Sequence, residues 1–179
     1  MSDYDQSKIK IEKSLLKRAR ENDSAAIETM FRQFVGKDET VLNAQYFGTQ
    51  GFWGIGKRSF GCLTDKRICS LTVGFLGEVT FVDAYLEHSN GGIMMQPSLV
   101  PLVIMSAPVI ILTFGIGIIL LPFLAQIYYR FFKSGLVWVI REGVPVYLFC
   151  NRSKLGRANQ LYRQASQARE ARLIQSLAR

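Results

Sequence analysis

The sequence predicts an α+β membrane protein: an antiparallel, partly open barrel flanked by N- and C-terminal helices and interrupted by an inserted transmembrane or re-entrant helical segment. Three observations point there. Leu99 to Tyr129 is almost purely apolar and carries no charged residue, a run that a small domain does not bury. Short stretches rich in β-branched and aromatic residues, punctuated by glycine, lie on both sides of it. Helical periodicity marks the two ends of the chain. The chain divides accordingly into an N-terminal helical region (1–38), a first β part (39–98), a membrane-embedded hairpin or span (99–132), and the last strands with a C-terminal helix (133–179).

Residues 8–35 read as helix. Ile9, Ile11, Leu15, Leu16 and Ala19 recur at helical spacing, Asn22-Asp23 breaks and re-caps the run, and Ala26, Ile27, Met30, Phe31 and Phe34 continue the stripe. Gly36 is placed to end it. Strands are expected at Val41–Tyr46, Ser59–Leu63, Arg67–Val73 and Glu78–Leu86. Gly48, Gly51, Gly54 and Gly56 are expected as turns, and Glu87–Gly92 as a polar turn. After the apolar run, Leu136–Ile140 and Val144–Cys150 flank Arg141-Glu142-Gly143, a hairpin signal. The last helix is expected over Ser153–Ala178, with an apolar stripe through Leu155, Leu161, Tyr162, Leu173 and Leu177.

The apolar run is too long for one straight crossing. Its 31 residues at about 1.5 Å each make a helix of roughly 46 Å, against a hydrocarbon core of about 30 Å. Two arrangements remain: a kinked span over Val103–Phe123 bracketed by Pro101 and Pro122, or a helical hairpin turning at Gly115–Gly117 with Pro108 and Pro122 in its arms. Tyr128 and Tyr129 beside Arg130 and Lys133 form an interfacial belt at its end.

Charge is distributed unevenly. Residues 1–98 hold twelve Lys/Arg and twelve Asp/Glu, whereas residues 99–179 hold ten Lys/Arg and two acids, so the whole net charge of +8 follows the apolar run. A basic segment beside a membrane anchor is drawn to anionic lipid. Nucleic acid is the competing partner for a basic tail and is not expected for an anchored chain. The charged N-terminal twenty residues lack a signal-peptide pattern. Strands on both sides of the run belong to one β domain, so both polar parts are expected on the cytoplasmic side, giving a membrane-integral protein of a bacterial inner membrane or an equivalent internal membrane.

The stretch Gly54–Ile68, GIGKRSFGCLTDKRI, resembles the bacterial pleckstrin-homology-like (PH-like) domains, which carry a (K/R)-x-F-x-x-T-D-(K/R)-R-(I/L) pattern at a turn between early strands, with one residue more between Phe60 and Thr64 here. Here that turn is Thr64-Asp65, whose side chains suit capping. The resemblance covers about 39–98 and 133–179, with the apolar run as an insertion. It implies a half-open antiparallel barrel plugged by a helix, used to bind lipid or protein rather than for catalysis. The spaced basic pattern of phosphoinositide-binding members is absent, since only Lys57-Arg58 and Lys66-Arg67 stand here.

Candidate chemistry is sparse. His88 is the only histidine, the three cysteines Cys62, Cys69 and Cys150 lack metal-ligand spacing, and the glycines at 48–56 do not form a phosphate loop. The cysteines are expected as reduced core residues. No enzyme, cofactor or metal site is expected. The expected function is a non-catalytic membrane-anchored accessory subunit or adaptor on a larger membrane protein complex, the alternative being a membrane-anchored lipid-binding or lipid-sensing module. The contact residues expected for the bilayer or partner are Pro108, Gly115, Gly117, Tyr128, Tyr129, Arg130, Lys133, Arg163, Arg169 and Arg172, the last three facing outward from the C-terminal helix.

Overall fold

The computed structural model describes residues 11–52, 55–98, 100–113, 117–131, 133–141 and 143–177. Two short helices open it, α1 (Lys13–Arg20) and α2 (Ser24–Phe31). Asn22 sits between them at φ 67°, and the Asp23 carboxylate caps α2 by accepting from the Ala25 and Ala26 amides. The break and re-cap expected at Asn22-Asp23 are both present. The helix ends at Phe31, five residues before Gly36.

Four antiparallel strands follow: β1 (Val41–Phe52), β2 (Ile55–Thr64), β3 (Arg67–Val73) and β4 (Val79–Tyr85), in the order β1-β2-β3-β4. Gly48, Gly51 and Gly56 lie inside the long β1–β2 ladder rather than in turns, and Gly54 lies outside the described residues. At the β2–β3 turn the Thr64 hydroxyl accepts from the Lys66 and Arg67 amides, and Asp65 accepts from the Thr40 amide. The motif's turn is therefore capped as its residues suggest.

A 3-10 turn, Leu86–His88, redirects the chain into β5 (Ser89–Met95). β5 pairs with β6 (Ser134–Ile140), which pairs with β7 (Val146–Cys150), making a three-stranded antiparallel sheet. Among the described residues no ladder joins β4 to β5. The expected single partly open barrel is therefore replaced by two separate sheets of four and three strands, because the turn at Leu86–His88 turns the chain away before pairing continues. β7 crosses the larger sheet, with Ser70 Oγ donating to the Tyr147 carbonyl and the Asn151 amide donating to the Phe47 carbonyl.

Two cores result. On one face of the four-stranded sheet Tyr46, Phe60, Cys62 and Leu71 pack under Ile27, Met30 and Phe31 of the N-terminal helices. On the other, Phe47, Leu63 and Ile68 meet Leu136, Trp138 and Leu148 of the second sheet, with Ala158, Leu161 and Ala165 of α5 (Leu155–Leu177) closing the end. Tyr46 and Phe47 are neighbours facing opposite cores, as strand alternation requires.

Between β5 and β6 the apolar run forms α3 (Val100–Leu112) and α4 (Gly117–Phe131), with Pro108 and Pro122 inside them. At 13 and 15 residues they measure roughly 20 and 22 Å, short of the ~30 Å hydrocarbon core. Among the described residues no helix is long and apolar enough to cross a membrane. This overturns the transmembrane segment, the single kinked span and the membrane-integral placement with its cytoplasmic orientation at an inner membrane. The physical cause is the break after Leu112, which divides the run into two short helices.

Candidate functional site

The α3–α4 hairpin is the most unusual surface of the molecule. Val100, Val103, Ile104, Ile111, Leu112, Ile118, Ile119, Leu120 and Phe123 are all exposed, Leu112 and Ile119 to 78% and 77%. The helices pack on each other, and α4 touches β1. No Asp, Glu, Lys or Arg occurs between Glu87 and Arg130. Isolated exposed apolar residues are ordinary, but a contiguous set of this size marks a surface built to be covered.

The hairpin's hydroxyls turn inward. Ser106 of α3 is buried and donates to the Val103 carbonyl at 3.1 Å. The Thr113 hydroxyl accepts from the Gly117 amide at 2.7 Å and donates to the Ile110 carbonyl at 3.4 Å. That side chain spans the break and supplies the cap that the first turn of α4 needs. Internal satisfaction of this kind is what apolar surroundings demand of a polar group. At the base, Tyr128 is buried and its phenol donates to the Ser98 carbonyl at 2.6 Å, closing the two arms together.

Of the residues expected at this site, Pro108 is exposed on α3, and Gly117 is buried at the start of α4. Gly115 lies outside the described residues, as do the side chains of Tyr129 and Arg130. Lys133 is exposed, with its ammonium 4.6 Å from the centre of the Phe149 ring, and Tyr147 stacks on the same ring. Aromatic rings and a lysine thus stand where the hairpin joins the second sheet.

The arginines of α5 are arranged differently from expectation. Arg163 is exposed beside Asn159 and Gln160. Arg169 and Arg172 turn onto the domain: Arg169 donates to the Ser89 carbonyl at 3.0 Å, and Arg172 to the Asp65 carbonyl and carboxylate at 2.9 and 3.1 Å. Gln160 and Gln164 bond Gln45 and Asn43 of β1, and Arg157 bonds Asn22 and the Tyr46 carbonyl. These form a polar seam that sets the register of α5 along β1. Acceptors supplied by distant backbone leave no signal in the local sequence.

A further polar cluster gathers around Arg67. Arg67 ties Glu39 to Asp83, with Thr64 Oγ1 donating to Glu39 at 3.0 Å. Burial pushes the Glu39 carboxyl upward, but the Arg67 guanidinium and the Thr64 hydroxyl outweigh it and hold the group below the ordinary glutamate value. Burial pushes the Cys62 thiol to about 12 and the Cys150 thiol to about 11, and Cys69 is raised as well. All three are buried and free, as expected. His88 is exposed, 3.6 Å from the Glu87 carboxylate. A second exposed apolar feature is the β3–β4 turn, where Phe75 and Leu76 stand between Gly74 and Gly77. No family model, curated protein or solved structure matches the chain.

Proposed function

We propose that this chain is a non-catalytic adaptor that attaches to one face of a bilayer through α3–α4, without crossing it, and docks on a larger membrane protein complex. The observation that carries the proposal is the hairpin's surface of nine exposed large apolar side chains with no charge among them. Transfer of that surface from water into hydrocarbon is worth on the order of 10 kcal/mol. Arms of roughly 20 Å reach beyond one leaflet and stop short of the far side. The Thr113 cap and the Tyr128–Ser98 bond support the same reading, since they leave fewer polar groups for water to satisfy. Exposed Ala107 and Pro108 give α3 the small side chains that let another membrane helix approach closely.

The resemblance to PH-like domains belongs to this proposal. It is supported by the chain order of four antiparallel strands, then three, then a closing helix. The absence of catalysis is part of the reading too. Thiols pushed to 11 or above are protonated at neutral pH and make poor nucleophiles.

The test is the double variant Ile111→Asn, Ile119→Asn. Both side chains are exposed, so circular dichroism and the thermal midpoint should match the wild type. Co-sedimentation with phosphatidylcholine vesicles and co-purification with the membrane complex should both be lost. Unchanged vesicle binding by the double variant would defeat the proposal.

A further inference from the structure

The apolar hairpin returns to the domain beside β1 and β6, and cations from distant parts of the chain stand on neighbouring strands and turns. Ser134, the first residue of β6, pairs with Cys150 across the β6–β7 ladder. One residue earlier, Lys133 lies over Phe149. From Cys150 the chain passes Asn151, whose amide bonds the Phe47 carbonyl of β1, and enters the 3-10 turn Arg152–Lys154. There Lys154 reaches to 6.0 Å from the centre of the Tyr46 ring.

One further cation bonds Tyr46 directly, and another stands opposite its neighbour Thr49. Arg157 donates to the Tyr46 carbonyl at 2.9 Å. Its phenol bonds the Thr49 hydroxyl, and Thr49 stands opposite Arg58 in the β1–β2 ladder, on the same face. Arg20 stands two residues before Asn22, whose side chain accepts the Tyr46 amide. Carboxylates are scarce here: the chain holds none between Thr40 and Thr64 or between Gly143 and Arg169, and nearby Asp23 is paired with Arg18, leaving Glu21. Among the described residues no carboxylate pairs with Arg58, Lys133 or Lys154. By contrast, Glu39, Asp65 and Asp83 gather at the opposite end of the sheet around Arg67 and Arg172.

We infer that Lys154 beside Tyr46, Arg58 opposite Thr49 and Lys133 on Phe149 at the hairpin's return form a docking band for the anionic phospholipid headgroups of the bilayer that receives the hairpin. This rests on the attachment proposed above and adds the lipid class and the orientation. The hairpin supplies apolar transfer energy that is indifferent to headgroup charge. The band supplies attraction that exists only on anionic lipid and weakens with salt. Their adjacency turns the β1 edge, with the start of α5, toward the membrane.

The experiment is flotation of the full chain with vesicles of phosphatidylcholine alone or with one-third phosphatidylglycerol, at low and high salt. The variants are Lys133→Gln, Lys154→Gln, Arg58→Gln combined, and a control of equal charge change, Lys13→Gln, Lys37→Gln, Arg141→Gln. The band variant should float on neutral vesicles like the wild type. It should lose roughly fivefold in affinity per cation, about a hundredfold in all, on anionic vesicles at low salt. The control should lose little. An unchanged anionic preference in the band variant, or an equal loss in the control, would overturn the inference. If wild type and the Ile111→Asn, Ile119→Asn variant bind neutral vesicles equally poorly, the attachment proposal fails instead, and the anionic preference still reports on the band. Recovery of binding only with an acidic protein and not with anionic vesicles also counts against it.

Discussion

Arg157 donates a guanidinium hydrogen bond to Asn22 Oδ1 at 2.8 Å, joining the start of the last helix to the turn between the first two, 135 residues away in the chain. Asn22 holds φ 67°, a conformation asparagine tolerates and glycine prefers. If its backbone angle were the only requirement, Asn22→Gly would be neutral or mildly stabilising. Its side-chain oxygen, however, accepts from both Arg157 and the Tyr46 amide. Asn22→Gly should therefore cost about 2 kcal/mol, read as a lower denaturant midpoint with an unchanged slope.

Glu39 should make stability pH-dependent on the acid side. Its folded pKa lies below the ordinary value, so its contribution is full above the unfolded glutamate pKa and is lost as pH falls through the folded one. Glu39→Gln should lower stability at pH 7 by about 3 kcal/mol, since it leaves the partly buried Arg67 with Asp83 alone. It should also flatten the acid limb below about pH 4.5. Thermal midpoints measured from pH 3 to 7 check both effects.

Gly135 is predicted to tolerate no side chain. It pairs with Phe149 in β6–β7, its φ is +149°, and a Cβ there would stand 2.3 Å from the Leu148 carbonyl oxygen. Because the obstruction is backbone, the ladder itself must move. Gly135→Ala should cost about 3 kcal/mol. Gly143, also at positive φ but with open space around it, should lose only about 1 kcal/mol on the same change. Parallel urea titrations of the two variants give the comparison.

Periodicity and turn chemistry made much of the fold legible. β3, β4, the late hairpin and α5 stand within about two residues of expectation because their apolar residues alternate or recur cleanly and their turns carry Gly or Asn/Asp. β5 was hidden, since Ser89-Asn90-Gly91-Gly92 has the composition of a turn. The structure explains Gly92 by a neighbour: any Cβ would meet the Trp138 ring at 2.6 Å. Gly48 of the β1–β2 ladder misled for the same reason, facing the Asn151 side chain, whereas Gly61, which faces Phe47, lies in a strand that the sequence did mark. A glycine that admits another side chain looks, in sequence, like one that turns the chain.

The apolar hairpin was legible as a run, and Pro108 and Pro122 were rightly placed inside its arms. That no helix among its described residues is long and apolar enough to cross a membrane was less visible, because composition reports the length of a run and not where helix stops. The Thr113 hydroxyl bonds both the Ile110 carbonyl and the Gly117 amide, contacts that a run of apolar residues does not announce. On α5, the Arg169 and Arg172 side chains are spent on carbonyls of β5 and the β2–β3 turn, contacts that only the tertiary fold creates.

The central claim is that the hairpin tip enters hydrocarbon from one face. A nitroxide attached at Leu112→Cys tests it most directly, since Leu112 is exposed at the end of α3 and the three native thiols are buried. In vesicles the account predicts that the label becomes accessible to oxygen and shielded from a water-soluble nickel complex supplied on both sides of the membrane. A label that remains as accessible to the nickel complex with vesicles as without them would contradict it.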